Sequence, residues 1–246
     1  MSLDGHIALI TGAGQGIGRA CAVIFASKGA NLVLVDKNPE TLIKVANEVA
    51  RMGRKVMNHA FDLTNLERLG DIAGEVRKIG LIDILVNNAG FDRPGTTAKI
   101  DKKGFEEVLD IHVTVPLTLI QIFLPGMRKA GWGRIINVSS VYGITGGKGE
   151  VAYSTAKAGI IGLTKSVAKE CGQDGVTVNA VLPGLTRTPT IETGMAERYK
   201  QDIIANTPLG RMAEPEEVAN VIAFLASDEA SFITGIALPV SGGWAV

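Results

Sequence analysis

The sequence predicts a single α/β domain in which helices cover both faces of a parallel sheet. Three observations predict this fold class. Short apolar, β-branched runs alternate with longer amphipathic segments from end to end, and these runs are apolar on both faces, as buried parallel strands are. The first run leads directly into a glycine-rich turn. The chain has 246 residues, enough for one large domain spanning 1–246.

The elements follow from the spacing of apolar residues. Strands are predicted at 7–11, 31–35, 55–60, 82–87, 133–138, 176–182 and 236–240. Helical patterns lie near 17–28, 39–51, 65–79, 101–127, 151–171 and 215–226. The region 183–215, rich in proline and glycine, reads as irregular. A connection of that length is usually functional, often a lid, although an exposed insertion is the alternative.

Composition excludes several classes of function. With 25 acidic and 25 basic side chains the formal net charge is zero, so no nucleic-acid partner is predicted. The two cysteines form no CxxC pair, and we predict neither a disulfide nor a metal site. The apolar run near the N-terminus is too short for a signal or a membrane span. We therefore expect a soluble, cytoplasmic protein with no membrane partner.

The segment after the first strand, TGAGQGIGRA at 11–20, is typical of a nucleotide-binding turn. Its glycines let the backbone approach a pyrophosphate at the N-terminus of the next helix, where free N–H groups favour anions. The GxGxxG spacing does not fit, because Ile17 stands where the third glycine would be, and a glycine-rich turn without a ligand is the alternative. The candidate cofactor residues are Gly12, Gly14, Gln15, Gly16, Ile17 and Gly18.

Acidic residues follow the next two strands. Asp36 can accept hydrogen bonds from both adenosine ribose hydroxyls and would repel a 2′-phosphate, which favours NAD over NADP. It could instead cap the helix before Pro39, and Lys37 leaves a cation nearby. Asp62 and Leu63 sit where an adenine could be bound, although Asp62 could equally cap a helix. Beyond the fourth strand, the NNAG segment contributes Asn88, Ala89 and Gly90 to the same edge of the sheet.

The chemistry points to the segment YSTAK. Tyr153 and Lys157 lie four residues apart, on one face of a helix with small, apolar flanks. A lysine beside a tyrosine stabilises the phenolate and lowers the tyrosine pKa, which gives a general acid/base. Ser140, with Ser139 as its competitor, could hold a substrate carbonyl against the tyrosine hydroxyl. The alternative is that Tyr153 and Lys157 lie on a solvent-exposed helix face and have no catalytic role.

Together, TGAGQGIG, NNAG, Ser140, Tyr153-xxx-Lys157 and the PG at 183–184 resemble the classical short-chain dehydrogenase/reductase family over essentially the whole chain. The resemblance implies a Rossmann-like, doubly wound sheet of seven parallel strands, usually in a homotetramer. It implies Tyr153 as acid/base, Lys157 as the residue that lowers its pKa and binds the nicotinamide ribose, and Ser140 as the residue that orients the reacting oxygen. It adds Pro183, Gly184 and Thr188 to the cofactor residues, and 184–212 as the substrate loop.

One position departs from the family. DIHV places His112 where the family has an asparagine that shapes the helix so that a backbone carbonyl holds a relay water. A histidine there could preserve the relay, block it, or add a titrating group.

The leading hypothesis is an NAD-dependent dehydrogenase that interconverts a secondary alcohol, such as a hydroxy acid or a 3-hydroxyacyl thioester, and its ketone. The family's 3-oxoacyl carrier-protein reductases generally use NADPH and dock the carrier through basic residues. Here Arg128 and Lys129 are basic, but Gly131 and Asp174 stand where further basic residues would be expected. An NADPH-dependent reductase of this kind is one alternative, and a catalytically weak nucleotide-binding subunit of a hetero-oligomer is the other.

Large or charged residues surround the expected pocket: Phe91, Asp92, Arg93, Lys148, Glu150 and Arg187. Arg93 and Arg187 could meet a substrate carboxylate or a CoA phosphate, although each taken alone could equally be a solvated surface residue.

Overall fold

The computed structural model describes residues 1–76 and 78–244, which form one parallel sheet of seven strands. The strands are β1 (Ile7–Thr11), β2 (Asn31–Asp36), β3 (Val56–Ala60), β4 (Ile84–Asn87), β5 (Gly133–Val138), β6 (Val176–Pro183) and β7 (Ala237–Val240). Their order is β3-β2-β1-β4-β5-β6-β7. The chain therefore winds in both directions from β1, which confirms the predicted doubly wound fold.

Helices cover both faces of the sheet. They are α1 (Gly16–Ser27), α2 (Pro39–Arg51), α3 (Leu69–Val76), α4 (Lys102–Leu109), α5 (Val115–Ala130), α6 (Tyr142–Thr145), α7 (Val151–Cys171), α8 (Pro189–Gly194), α9 (Glu197–Ala205) and α10 (Pro215–Leu225). Arg77, within the helix predicted at 65–79, and residues 245–246 of the predicted domain lie outside the described residues.

Alternate side chains of the strands point to opposite faces of the sheet and belong to two separate hydrophobic cores. On one face Ala8, Ile10 and Leu32 pack with residues of α1, α2 and α10. On the other face Leu9 and Val33 pack with residues of α3, α5 and α7. Burial on both faces explains why the strands read as continuous apolar runs. The edge strands β3 and β7 are the exceptions, because their residues are only partly buried or exposed.

The long helix predicted at 101–127 is correct in position but not continuous. A π-helical turn, Asp110–Thr114, separates α4 from α5. The two halves bury different faces: Val108 of α4 packs against Ala152 and Ala156 of α7, whereas α5 packs on the sheet. His112 lies in the π-helical turn itself.

The region 183–215 is less irregular than predicted, because α8 and α9 lie within it. Pro189 begins α8 rather than breaking a helix, since its fixed φ and missing N–H suit the first helical turn. The side chain of Thr188 caps α8 by accepting from the backbone N–H of Ile191 at 3.4 Å. The short helix α6 is a further element that the apolar pattern did not predict.

One segment, Lys102–Ala130, is long and apolar enough to cross a membrane by length and composition alone. Half of its most apolar window is buried inside the structure. The buried side chains of α5 belong to the core beneath the sheet, as in the core helix of a globular domain.

Candidate active site

A cleft of about 840 Å³ opens at the carboxyl ends of the strands, at the point where the segments that follow the neighbouring strands β1 and β4 run to opposite faces of the sheet. This is the place where open α/β sheets bind ligands. The predicted site residues that line it come from eight separate segments: Gly12, Gln15, Gly16, Ile17, Asp36, Asp62, Leu63, Asn88, Ala89, Gly90, His112, Ser140, Tyr153, Lys157, Pro183, Gly184 and Thr188. Of the predicted set, Gly14 and Gly18 do not line the cleft.

Gly18 has a packing role in the glycine turn. A Cβ at Gly18 would overlap the Gly12 carbonyl, so this glycine lets α1 approach the end of β1 closely. Gln15, the residue preceding α1, makes no side-chain capping bond to the helix. The first N–H groups of α1 therefore receive no side-chain cap from Gln15, and they suit a pyrophosphate.

Asp36 stands at the end of β2 with its carboxylate in the cleft. Its two oxygens accept from the backbone N–H of Gly14 at 2.9 Å and of Asn38 at 2.9 Å. The alternative role as a cap for α2 is wrong, because Asn38 caps that helix through its side-chain oxygen. The backbone bonds fix the Asp36 carboxylate in place and leave lone pairs for a further donor.

Asp62 also lines the cleft, and it does not cap a helix. Its Oδ1 accepts from the backbone N–H of Thr64 at 3.0 Å and from the Thr64 hydroxyl at 2.7 Å, and Asn65 is the residue that precedes the next helical turn. These hydrogen bonds lower the pKa of Asp62 below its ordinary value. The carboxylate is thus held in a local turn at the rim of the cleft.

Asn88, which follows β4, is hydrogen-bonded to the residues at the end of β1. Its side-chain Nδ2 donates to the carbonyls of Thr11 at 2.9 Å and Gly12 at 3.2 Å. The Thr11 hydroxyl in turn accepts from the backbone N–H groups of Asn88 at 2.9 Å and Ala89 at 3.0 Å. The ends of β1 and β4 are therefore locked together beneath the cleft.

Ser140, Tyr153 and Lys157 are brought together at the other end. The Lys157 Nζ lies 5.4 Å from the centre of the Tyr153 ring and donates to the Val138 carbonyl at 2.7 Å. Ser140 is within hydrogen-bonding reach of the Tyr153 hydroxyl. Ser139, its competitor, is turned away, since its hydroxyl donates to the Lys157 carbonyl at 2.7 Å.

The pKa values of this group correct one expectation. Burial raises the pKa of Tyr153 well above its ordinary value, and the hydrogen bond with Ser140 lowers it by less. Burial also lowers the pKa of Lys157, which is only 4% exposed, to about 7. Desolvation therefore outweighs the predicted stabilisation of the phenolate, because burial removes water from both charged forms.

His112 is buried beside this group. Its Nε2 lies 2.9 Å from the Phe91 carbonyl, and its ring meets the Tyr153 ring edge to face at 5.4 Å between centres. A Cβ at Gly90 would overlap the imidazole, so the glycine of NNAG makes room for it. Burial, and secondarily the charge of Lys157, hold the pKa of His112 well below its ordinary value. The imidazole is therefore neutral near pH 7 and donates to Phe91 from Nε2.

The two arginines expected near the substrate are both engaged by glutamates. Arg93 lines the cleft but pairs with Glu107, with Nη2 2.6 Å from the carboxylate. Arg187 pairs with Glu214 at 2.9 Å and Glu192 at 3.5 Å, and it does not line the cleft. Neither guanidinium is therefore placed to meet a substrate anion without giving up an ion pair.

A carboxyl pair faces the same end of the cleft. Burial, and then a hydrogen bond with Asp92, raise the pKa of Glu150 to about 8. The Oε2 atom of Glu150 is buried and has no hydrogen-bond partner among the described residues. Glu150 directly precedes α7 and thus stands three positions before Tyr153.

Several cleft residues were missed by sequence reasoning. Tyr142 and Trp244 stack edge to face at 5.5 Å between ring centres, and both line the cleft with Met195 and Ile203. Gln15 reaches across to α8, where its Nε2 donates to the Thr190 hydroxyl at 3.3 Å. These contacts join distant parts of the chain and have no local sequence signature.

Comparison with known proteins gives full-length matches. A family model described as enoyl-(acyl carrier protein) reductase matches residues 12–245. The 3-oxoacyl-(acyl-carrier-protein) reductase of Aquifex aeolicus is 42% identical over 245 residues, which cover 99% of this chain and 98% of the relative. The corresponding reductase of Thermotoga maritima is 38% identical over 244 residues and 99% of each chain.

Among solved structures, a proposed NAD(P)-dependent gluconate 5-dehydrogenase from Beutenbergia cavernae, with NADP bound at low occupancy, is similar with a TM-score of 0.94. It is 35% identical in sequence, and the match covers 99% of this chain and 98% of that one.

The carboxyl pair predicts a pH-dependent stability. Because the folded-state pKa of Glu150, about 8, lies above its ordinary value of 4.5, ionisation of Glu150 costs stability as the pH rises from about 4.5 to 8. Glu150→Gln removes this cost. We expect the variant to gain roughly 1–2 kcal/mol over wild type between pH 5 and pH 9, well below the full linkage value because the carboxyl is partly solvated.

Urea unfolding at the two pH values measures this gain. The control is Glu106→Gln, which changes an exposed glutamate of α4 that does not line the cleft. An equal effect of both variants, or none for Glu150→Gln, would contradict the prediction.

Proposed function

Since this chain belongs to the short-chain dehydrogenase/reductase family, we propose that it interconverts the 3-hydroxy and 3-oxo forms of an acyl thioester with NAD(H). Family membership makes the chain an NAD(P)-dependent oxidoreductase that acts on CH–OH groups. The observation that carries the finer proposal is one cleft that holds Asp36 at its nucleotide end and Ser140, Tyr153 and Lys157 at its other end.

The residues of the cleft fit a dinucleotide. The glycine turn and the uncapped start of α1 suit the pyrophosphate, and the fixed carboxylate of Asp36 suits the adenosine ribose hydroxyls. Asp62 and Leu63 would hold the adenine. The remaining residues would hold the nicotinamide half: Asn88, Ala89, Gly90, Lys157, Pro183, Gly184 and Thr188.

When bound, the nicotinamide ring accepts a hydride in oxidation and supplies it in reduction. Tyr153 holds and moves the proton at the reacting oxygen, taking it from the alcohol in one direction and returning it in the other. The Ser140 hydroxyl orients that oxygen against Tyr153. The charge of protonated Lys157 would stabilise the phenolate, and burial lowers the pKa of Lys157 to about 7.

The thioester is favoured by the relatives named above, which are 3-oxoacyl-(acyl-carrier-protein) reductases. A β-oxo thioester has a neutral reacting end, which suits a cleft whose acidic side chains outnumber its cations. Arg128, one of two basic residues expected to dock a carrier protein, is paired with Asp174 at 2.9 Å. We therefore favour a CoA-linked or free thioester over a carrier-bound one. The substrate loop at 184–212, the homotetramer and the cytoplasmic location remain predictions.

The second candidate is the NADPH-dependent reduction of a carrier-bound 3-oxoacyl group. It is favoured by the named relatives and by the NADP in the solved structure from Beutenbergia cavernae. The cofactor, and not the fold, separates the two candidates, and the negative charge of Asp36 supports the first.

Tyr153→Phe tests the acid/base. We expect kcat for NADH-linked reduction of acetoacetyl-CoA to fall by about 10²–10⁴-fold, because the hydroxyl that exchanges the proton is lost. Binding of NADH, measured by fluorescence, should stay within about threefold. The control is Glu106→Gln, which changes an exposed glutamate of α4 outside the cleft and should keep full activity. Retained turnover in Tyr153→Phe would refute the role.

Asp36 tests the cofactor. We expect wild type to favour NAD⁺ over NADP⁺ in kcat/KM by at least about tenfold, since a carboxylate repels a nearby phosphate dianion. Asp36→Ser should reduce this preference by a similar factor. If Lys37 then meets the phosphate, the double variant Asp36→Ser/Lys37→Ala should regain less NADP⁺ activity than the single one. A wild-type preference for NADP⁺ would favour the second candidate.

His112 tests the altered relay position. Because the buried imidazole is neutral, we expect His112→Asn to keep kcat within about threefold and to leave the pH–rate profile unchanged. His112→Leu leaves the Phe91 carbonyl without its donor, and we expect lower stability by about 1–3 kcal/mol. An acidic limb of the pH–rate profile that disappears in His112→Asn would show instead that the imidazole titrates during turnover.

A further inference from the structure

We propose that Tyr142 and Trp244 form an aromatic wall that limits the substrate to short acyl chains beyond the reacting carbon. The aromatic wall consists of these two rings, which meet edge to face with 5.5 Å between their centres and line the cleft. This inference rests on the proposed function, because it concerns the substrate of the same cleft. It adds the length of the acyl group, which neither the family nor the relatives' names supply.

The wall begins directly beside the group that orients the reacting oxygen. The Ser140 hydroxyl accepts from the backbone N–H of Tyr142 at 3.2 Å. Tyr142 is the first residue of α6, and this short helix packs closely on α7. A Cβ at Gly143 would lie 2.7 Å from the carbonyl oxygen of Lys157, so the glycine permits this approach. The Tyr142 ring is therefore held at a fixed place next to the reacting group.

Trp244 is fixed by a turn of two glycines that precede it. Gly242 and Gly243 have positive φ values of 64° and 90°, a backbone conformation that favours glycine. A Cβ at Gly243 would lie 2.7 Å from the Cγ atom of Pro208. The carbonyl of Gly242 accepts from the backbone N–H of Leu209 at 3.0 Å. The turn is thus packed against the segment that follows α9, and it holds the indole at the cleft.

The wall is backed by packed apolar side chains. Trp244 packs against a buried cluster from β6, α7 and the segment after β5, namely Val141, Ile161, Ala180 and Leu182. Side chains in such an interior are close-packed, and extra atoms can enter only by forcing neighbours out of position. The indole therefore cannot move back to admit a longer chain without a loss of packing.

The end of the substrate that meets this wall is the acyl chain. Met195 and Ile203, from the region of α8 and α9, line the same cleft, so its substrate end is bounded by apolar side chains that suit methylene groups. The CoA end of a thioester has to extend out of the cleft, because the cleft also holds the dinucleotide. A chain that reaches the two rings can grow further only by displacing them.

The experiment compares kcat/KM for NADH-linked reduction of acetoacetyl-CoA and of 3-oxooctanoyl-CoA. If the cleft were open at this end, each added methylene group would raise kcat/KM by about fourfold. Because the wall stops the chain, we expect wild type to use the longer substrate at least about tenfold less efficiently than the shorter one.

Variants of the two rings test whether the wall sets this limit. Trp244→Ala should raise the ratio of long-chain to short-chain kcat/KM at least about tenfold, and Trp244→Phe, which keeps a smaller ring, should give an intermediate ratio. Tyr142→Phe keeps both rings and should keep the ratio within about threefold. The control is Leu81→Ala, which changes an exposed leucine that precedes β4, outside the cleft, and should leave the ratio unchanged.

Thermal unfolding and the Kd for NADH show whether each variant is folded. If Trp244→Ala does not fold, Trp244→Phe and Tyr142→Leu carry the same test, because each reduces the size of one ring of the wall. Both should raise the ratio of long-chain to short-chain kcat/KM above that of wild type.

Symmetrical ketones test the wall without a thioester and without turnover. Pentan-3-one and nonan-5-one carry the same chain on both sides of the carbonyl, so the longer chain meets the wall in either orientation. NADH fluorescence reports their Kd for the enzyme–NADH complex. Wild type should bind pentan-3-one more tightly than nonan-5-one, and Trp244→Ala should reverse this order.

A wild-type preference for 3-oxooctanoyl-CoA or for nonan-5-one would overturn the proposal, as would a chain-length ratio that the ring variants leave unchanged. The expected ketone selectivity without turnover of either thioester would instead refute the proposed function and leave the aromatic wall standing.

Discussion

The cleft depends on one hydrogen-bonded junction between the ends of β1 and β4. Two hydrogen bonds join Thr11 and Asn88, and the Asn88 side chain also donates to the Gly12 carbonyl. The Thr11 hydroxyl further accepts from the backbone N–H of Ala89 and donates to the Val86 carbonyl. At this point neighbouring strands connect to helices on opposite faces, so the sheet itself provides no contact between the diverging loops. The Thr11 hydroxyl and the Asn88 amide supply it. They position the glycine turn on one side and Gly90, with His112 behind it, on the other.

The other end of the cleft is governed by desolvation. Tyr153, Lys157, His112 and Glu150 are all pushed toward their neutral forms by burial. A positively charged group that enters the cleft would therefore favour the phenolate of Tyr153. The side chains are thus arranged so that the acid/base responds to what binds, and Ser140 fixes the place where the proton is exchanged.

Much of this could be predicted from the sequence. The strand positions were correct to within two residues, because strands buried on both faces have a continuous apolar signature. The grouping of Ser140, Tyr153 and Lys157 followed from their places at a strand end and on one helix face. Other features depend on contacts between distant segments and could not be predicted. Asp92 lies beside Glu150 only because a backbone bridge joins their segments. Arg187 is paired with Glu192 of α8 and with Glu214, which directly precedes α10, and neither contact has a local sequence signature. The start of α8 at Pro189 is not predicted, because the proline and glycine content of 183–215 indicates an irregular region.

The π-helical turn at Asp110–Thr114 sets the relative phase of the two helices that flank it. Successive residues of an α-helix are rotated by about 100° about the helix axis. One extra residue in a turn therefore rotates the side chains of the following helix by about that angle. Without it, the stripe of α5 that lies on the sheet and the stripe of α4 that lies on α7 could not both be buried. The π-helical turn therefore sets the angle between the face of α4 that packs on α7 and the face of α5 that packs on the sheet. His112 lies within this turn, and its imidazole contacts the Tyr153 ring. The helix that follows the turn, α5, packs into the core.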